Sequence, residues 1–188
     1  PPPRTTLSDD RLQRQMCIRD RFCYHLPFTR MAEKAHKHLA RLNQVELDDV
    51  TMARQISDGL IYSRRTGNAY TASLYVGLAS LLDLDPDNLG GQRVGMFSYG
   101  SGCMATFFSG QVAAEYRQHL DTERHRQMLE HRTELTYAEY LDFYHHRLPK
   151  DGSTYETTSH ETGQFRLAGL QDHKRLYEKC AVPVPVGV

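Results

Sequence analysis

The chain has 188 residues, enough for one domain with one sizeable core. Lys plus Arg total 23 and Asp plus Glu total 23, so the formal net charge is zero, which argues against a nucleic-acid binder that works by bulk electrostatics. No apolar run approaches a membrane span and no signal-peptide pattern opens the chain, so a cytoplasmic protein without membrane contact is expected.

Residues 1–21, PPPRTTLSDDRLQRQMCIRDR, sustain neither a strand nor a helix period. The piece QMCIRDR resembles a translated sequencing adapter, so the stretch reads as a non-native, disordered leader. On that reading the natural chain enters near Phe22, in mid-domain, and its N-terminal portion is missing. A folded domain over 22–180 follows. The last residues, 181–188 (AVPVPVGV), read as an extended or disordered tail.

Phe22-Cys23-Tyr24 is a short apolar run, read as a strand with His25 at its end. Pro27 suits the first turn of a helix, where its missing N–H has no partner to lose. Beyond it Phe28, Met31, Ala32, Ala35, Leu39 and Leu42 recur at helical spacing, while Arg30, Lys34, Lys37 and Arg41 form a second, basic stripe. Open α/β folds place ligands where strand ends pass to helix starts, and a helix start favours anions. A histidine there, beside a cationic stripe, suits a carbonyl substrate on a phosphorylated handle. The same residues also read as a structural histidine and a solvated helix face.

A second helix is predicted over Leu47–Ser63, with Asp48 and Asp49 in its first turn, and Thr66-Gly67-Asn68 breaks it. A third, Tyr70–Leu82, is rich in small residues and is expected to be buried. Residues 83–92 read as a turn-rich connection. Val94, Met96 and Phe97 mark a strand, Tyr99-Gly100-Ser101-Gly102 a turn, and Met104–Phe108 the return strand, both strands being expected in the interior. Glycine lets backbone N–H groups approach a ligand closely, so this turn is a candidate oxyanion site as well as an ordinary hairpin. Asp121–His131 reads as a polar surface helix, and Thr136 with Glu139 as a capping box that starts a helix through Tyr144. Residues 150–161 read as polar loop, 163–170 as a last strand and 173–180 as a terminal helical turn.

The four cysteines, Cys17, Cys23, Cys103 and Cys180, show no paired spacing, so reduced thiols are expected. The histidine pairs His36/His38 and His145/His146 cannot share one helical face. No metal site is expected.

Three pieces occur in order: His25-Leu26-Pro27-Phe28-Thr29-Arg30-Met31, Gly67-Asn68-Ala69-Tyr70-Thr71 and Phe97-Ser98-Tyr99-Gly100-Ser101-Gly102. Together with the late GQFRLAGLQDHKRLYEK, they resemble the C-terminal half of bacterial 3-hydroxy-3-methylglutaryl-CoA synthases. The resemblance spans about residues 22–180. It implies an α/β chain of thiolase-like fold, C-terminal half only, with layered helices and a mixed sheet of the five-stranded type. It implies a homodimer that condenses acetyl-CoA with acetoacetyl-CoA through an acetylated cysteine, using CoA thioesters as substrates and no further cofactor. By the same resemblance His25 is the catalytic histidine that polarises the acetoacetyl thioester. Asn68 hydrogen-bonds the acyl substrate. Gly100, Ser101 and Gly102 line the acyl pocket, and Arg30 and Lys34 meet CoA. The family's cysteine nucleophile and glutamate base have no counterpart here: Cys23 and Cys103 do not match the nucleophile's motif, so this polypeptide alone is expected to be inactive. Two other readings stay open. One is a homologue that performs polyketide β-branching on carrier-protein-bound substrates, the other a non-catalytic CoA-binding module.

Overall fold

The computed structural model describes residues 21–100, 102–159 and 164–180. They fall into two units, divided between Glu123 and Arg124.

The first unit is built on a mixed sheet. Strand β1 (Arg21–Tyr24) runs parallel to β2 (Arg93–Gly100), and β3 (Met104–Gln111) returns antiparallel, giving the order β1-β2-β3. The mixture is as expected, but the described sheet has three strands rather than five. After β3 the described residues pass into helices and a separate antiparallel sheet, and no further strand among them pairs with this ladder.

Helix α1 (Arg30–Leu42) starts three residues beyond Pro27, which lies in the connecting loop. Its inward face is Ala32, His36 and Ala40, spaced by one turn, whereas Phe28 and Leu42 are exposed. The apolar stripe read from the sequence is therefore rotated, because two alanines let the helix pack close while a histidine fills the gap between them. With α2 (Asp49–Ile56) it covers one sheet face over Phe22, Tyr24, Leu26, Ile56 and Leu60. Asp48 caps α2 by accepting from Thr51 N at 2.7 Å.

The single helix predicted over 47–63 is broken. After α2 come a 3₁₀ turn (Asp58–Leu60) and α3 (Ile61–Thr66), closed by Gly67 at φ +77°. The break seats Gly59 against Gly77 of α4 (Ser73–Leu84): a Cβ on Gly77 would lie 3.1 Å from Gly59 O. Ser80 Oγ bonds the Asp58 carbonyl across the same contact. Helix α4 is buried as expected through Ser73, Leu74, Gly77, Ser80 and Leu81. It covers the other sheet face with Cys23, Leu89, Val94 and Tyr116. Alternation along β1 produces the two faces: Phe22 and Tyr24 point to α1 and α2, Cys23 to α4.

Arg21, read with the leader, opens β1 and is 2% exposed. Its guanidinium grips Asp85 through Nε (2.6 Å) and Nη2 (3.3 Å), and Asp87 through Nη2 (2.9 Å). Residues 1–20 and the tail lie outside the described residues. Strand β3 is exposed along its whole length, against the expectation of two interior strands, because no described element covers it.

Helix α5 (Thr122–Glu130) begins just before the division, and in the second unit it is followed by α6 (Tyr137–His145), whose capping box of Thr136 and Glu139 is formed. Strands β4 (Tyr155–Glu156), β5 (Phe165–Gln171) and β6 (Lys174–Lys179) make an antiparallel sheet. Two sequence expectations fail here. The loop over 150–161 contains β4, and the terminal helical turn is β6. Asp172 (φ +48°) and His173 (φ +63°) make a two-residue hairpin turn with both residues left-handed, as such hairpins require, but without the glycine that announces them.

Candidate functional site

The candidate residues lie at the open end of β1 and β2, in the first unit. His25 continues the parallel ladder, donating its backbone N–H to Phe97 O at 2.8 Å. Its ring meets that of Tyr99 at 6.2 Å between centroids. Alternation puts His25 on the sheet face of Cys23, the face covered by α4. Nδ1 of His25 is buried and has no hydrogen-bond partner among the described residues. Most buried polar atoms are paired, so this nitrogen is chemically the most informative atom of the region.

Asn68 follows the glycine that ends α3. Its Oδ1 accepts from Tyr70 N at 2.7 Å, tightening a turn in which Tyr70 takes φ +51°. That bond uses one lone pair of Oδ1, and the Nδ2 amide is the group to offer a ligand oxygen. The 3₁₀ turn Tyr70–Ala72, just after Asn68, packs beside β2. A cleft of 190 Å³ opens between the segments flanking His25 and Asn68, lined by Leu26, Pro27, Phe28 and Thr29 on one wall and Ser63, Arg64 and Gly67 on the other. Ser63 Oγ is buried there without a hydrogen-bond partner. His25, Asn68 and the glycines of the hairpin are not among the lining residues.

At the hairpin, β2 runs through Gly100, which pairs with Met104, so Tyr99 and Gly100 belong to the strand rather than to the turn expected over 99–102. Ser101 lies outside the described residues. Neither Gly100 nor Gly102 needs a positive φ; the left-handed residue is Cys103, at φ +57°. A Cβ on Gly102 would meet nothing within 4 Å. The chain turn does not demand these glycines, and open space at Gly102 is what lets another group approach its backbone.

Arg30 and Lys34 are exposed on α1, in line with Lys37 and Arg41. Lys34 Nζ lies 5.8 Å from the centre of the Phe28 ring, which is half exposed and lines the cleft, so the stripe begins at the cleft's edge. The helix start contributes less than expected: the N–H groups of Met31 and Ala32 are engaged by Phe28 O and Thr29 O. Attraction for an anion therefore falls on the side chains.

Cys23 is buried, and burial pushes its thiol up to about 12, so it does not supply a thiolate. Cys23 and Cys103 are free. Among the described residues no group of His, Cys, Asp and Glu is arranged to hold a metal ion, and no helix is long and apolar enough to cross a membrane.

Sequence reading passed over a polar triad behind His25. Tyr24 OH meets His36 Nδ1 at 2.7 Å, and His36 Nε2 meets Gln55 Oε1 at 2.7 Å, with His36 fully buried. The available signal was the spacing Ala32-His36-Ala40, which puts the imidazole on the inner face.

The described fold and site can be set beside known proteins. The family model described as hydroxymethylglutaryl-coenzyme A synthase C terminal matches residues 40–178, so His25, Arg30 and Lys34 lie ahead of it. A hydroxymethylglutaryl-CoA synthase of Enterococcus faecalis is 37% identical over 159 residues, 84% of this chain and 40% of that relative. The polyketide biosynthesis 3-hydroxy-3-methylglutaryl-ACP synthase PksG of Bacillus subtilis is 33% identical over 123 residues, 62% of this chain and 28% of that relative. A crystal structure of an HMG-CoA synthase complexed with CoA has a TM-score of 0.71 at 29% identity, over 86% of this chain and 41% of that one. The chain thus spans between 28% and 41% of these proteins, and its layered mixed sheet is the C-terminal part of their thiolase-like fold. The agreement of ordered motifs, fold and family match leads to one conclusion: this chain belongs to the hydroxymethylglutaryl-coenzyme A synthase family, as its C-terminal region.

Proposed function

We propose that this chain is the C-terminal part of a synthase that condenses acetyl-CoA with acetoacetyl-CoA in the mevalonate route to isoprenoids, working as a cytoplasmic homodimer. The observation that carries the reading is the unpartnered, buried Nδ1 of His25 at the strand end, beside Tyr99. An imidazole so placed can donate to the thioester or keto oxygen on which negative charge develops. Asn68 adds its Nδ2 donor, and the backbone of 100–102 lines the acyl end. Arg30 and Lys34, exposed at the cleft's edge, receive the CoA phosphates. The acetyl-carrying cysteine and the base come, on this reading, from sequence outside these 188 residues. The thiol of Cys23 is too well protonated for the part.

Free CoA thioesters are favoured over carrier-bound ones by the relatives. The Enterococcus faecalis synthase is nearer than PksG, at 37% identity over 84% of the chain against 33% over 62%. The test is thiol release by the complete gene product from acetyl-CoA and acetoacetyl-CoA. Release supports the reading. CoA binding without turnover marks a non-catalytic module, and turnover only with a carrier-bound acetoacetyl group marks polyketide β-branching.

For the basic stripe, Lys34→Ala is expected to raise KM for the CoA substrates about three- to tenfold, the scale of one charge-assisted phosphate contact, with turnover changed less. Steady-state kinetics checks this, and an unchanged KM returns the stripe to a solvated face.

A further inference from the structure

Behind His25, β1, α1 and α2 are joined by more than apolar contact. Gln55 Oε1 can only accept, so His36 Nε2 carries the proton and Nδ1 accepts from the Tyr24 hydroxyl. Donation therefore runs one way, from Tyr24 on β1 through His36 on α1 to Gln55 on α2. All three side chains are buried. The groups facing the imidazole are the Tyr24 hydroxyl, the Gln55 amide and the Phe22 ring, at 4.9 Å between centroids. Burial holds His36 below its ordinary 6.5, against a smaller opposing effect of the Gln55 bond. The neutral tautomer that this chain of bonds requires is thus the form present at neutral pH. Burial also raises the Tyr24 hydroxyl, which stays protonated as the donor.

The apolar cluster around these residues is non-directional and would tolerate a slide or roll of α1. Ala32 and Ala40, on either side of His36, present no knob that fixes a register. Two hydrogen bonds of 2.7 Å in a dry interior do fix one, since a shift of an ångström would strand buried donors and acceptors. What they hold matters for the site. Tyr24 is covalently next to His25, and its ring packs on Phe97 at 6.3 Å, whose carbonyl accepts from the His25 N–H. At the other end, α1 carries Arg30 and Lys34 and begins beside the cleft.

We infer that Tyr24, His36 and Gln55 are positioning residues: their hydrogen-bonded chain locks α1 to the end of β1, so that the His25 imidazole and the CoA-facing side chains keep one geometry. This rests on the role given to His25 above.

The experiment compares Tyr24→Phe, His36→Phe and the double variant in the complete protein, each shown to be folded. Tyr24→Phe removes one hydroxyl and keeps the ring, and His36→Phe keeps the packing on Phe22. For each single variant, turnover in condensation should fall about tenfold, as small misplacements of catalytic groups do, with KM moved less than twofold. The double variant should be no worse than either single one, because one lock is broken once. The His25 imidazole NMR signals should shift in Tyr24→Phe. Unchanged turnover in the folded single variants, or full multiplicative losses in the double variant, overturns the lock. If His25→Ala itself retains condensation, the role of His25 falls instead. The lock is then judged by the His25 signals alone, and unshifted signals overturn it.

Discussion

Replacing His25 by alanine in the complete protein is expected to leave acetylation of the cysteine nearly intact and to lower condensation by about 10²–10⁴-fold. The two half-reactions separate because they need different groups. Loading acetyl from acetyl-CoA onto a cysteine develops charge at the acetyl carbonyl, which the proposed role of His25 does not touch. Attack of the acetyl carbon on the second substrate turns a keto oxygen into an alkoxide, and a donor aimed there acts only as that charge forms. The buried Nδ1 of His25 has no partner among the described residues to give up in doing so. Quenched-flow measurement of acetyl-enzyme formation, beside steady-state thiol release, reads the two steps apart. Equal loss in both would contradict the assignment.

The second large effect is on stability. Asp85→Ala is expected to destabilise the protein by about 3–5 kcal/mol, because it removes the buried carboxylate that meets both Nε and Nη2 of the Arg21 guanidinium. Arg21 is 2% exposed and the Asp85 side chain is fully buried, so the pair sits where losing a counter-charge is costly. Asp87, whose side chain is 47% exposed, is the internal control. It also bonds Arg54 at 3.2 Å, and its loss should cost far less than that of Asp85, as for other exposed pairs. Exchanging both buried partners, Arg21→Met with Asp85→Leu, should recover most of the loss, since apolar groups of like volume often serve as well. Urea unfolding with an unchanged slope distinguishes these outcomes. Equal effects of Asp85→Ala and Asp87→Ala would refute the buried-pair account.

The ends of elements were less legible than their existence, for reasons that particular residues show. The helix expected over 47–63 is split because Gly59 must meet Gly77, a contact between segments far apart in sequence. The strand β6 carries Lys174, Arg175, Glu178 and Lys179, a charge pattern equally at home on a helix. Only pairing with β5 made it a strand, as local preference near the surface is weak and a hydrogen-bonded neighbour decides. The glycines at 100 and 102 marked where the chain turns, while among the described residues of that turn the left-handed one is Cys103.

The order and kind of the main elements, the burial of α4, the capping box at Thr136 and the family were written in the sequence itself. Periodicity, capping and motif order are local properties that survive without a fold. Which face of α1 turns inward, the partner of Arg21 and the bonds made by His36 were decided only by tertiary packing. Those depend on which distant side chains share a dry interior, where an unpaired polar group costs about 1–3 kcal/mol and so selects its neighbours.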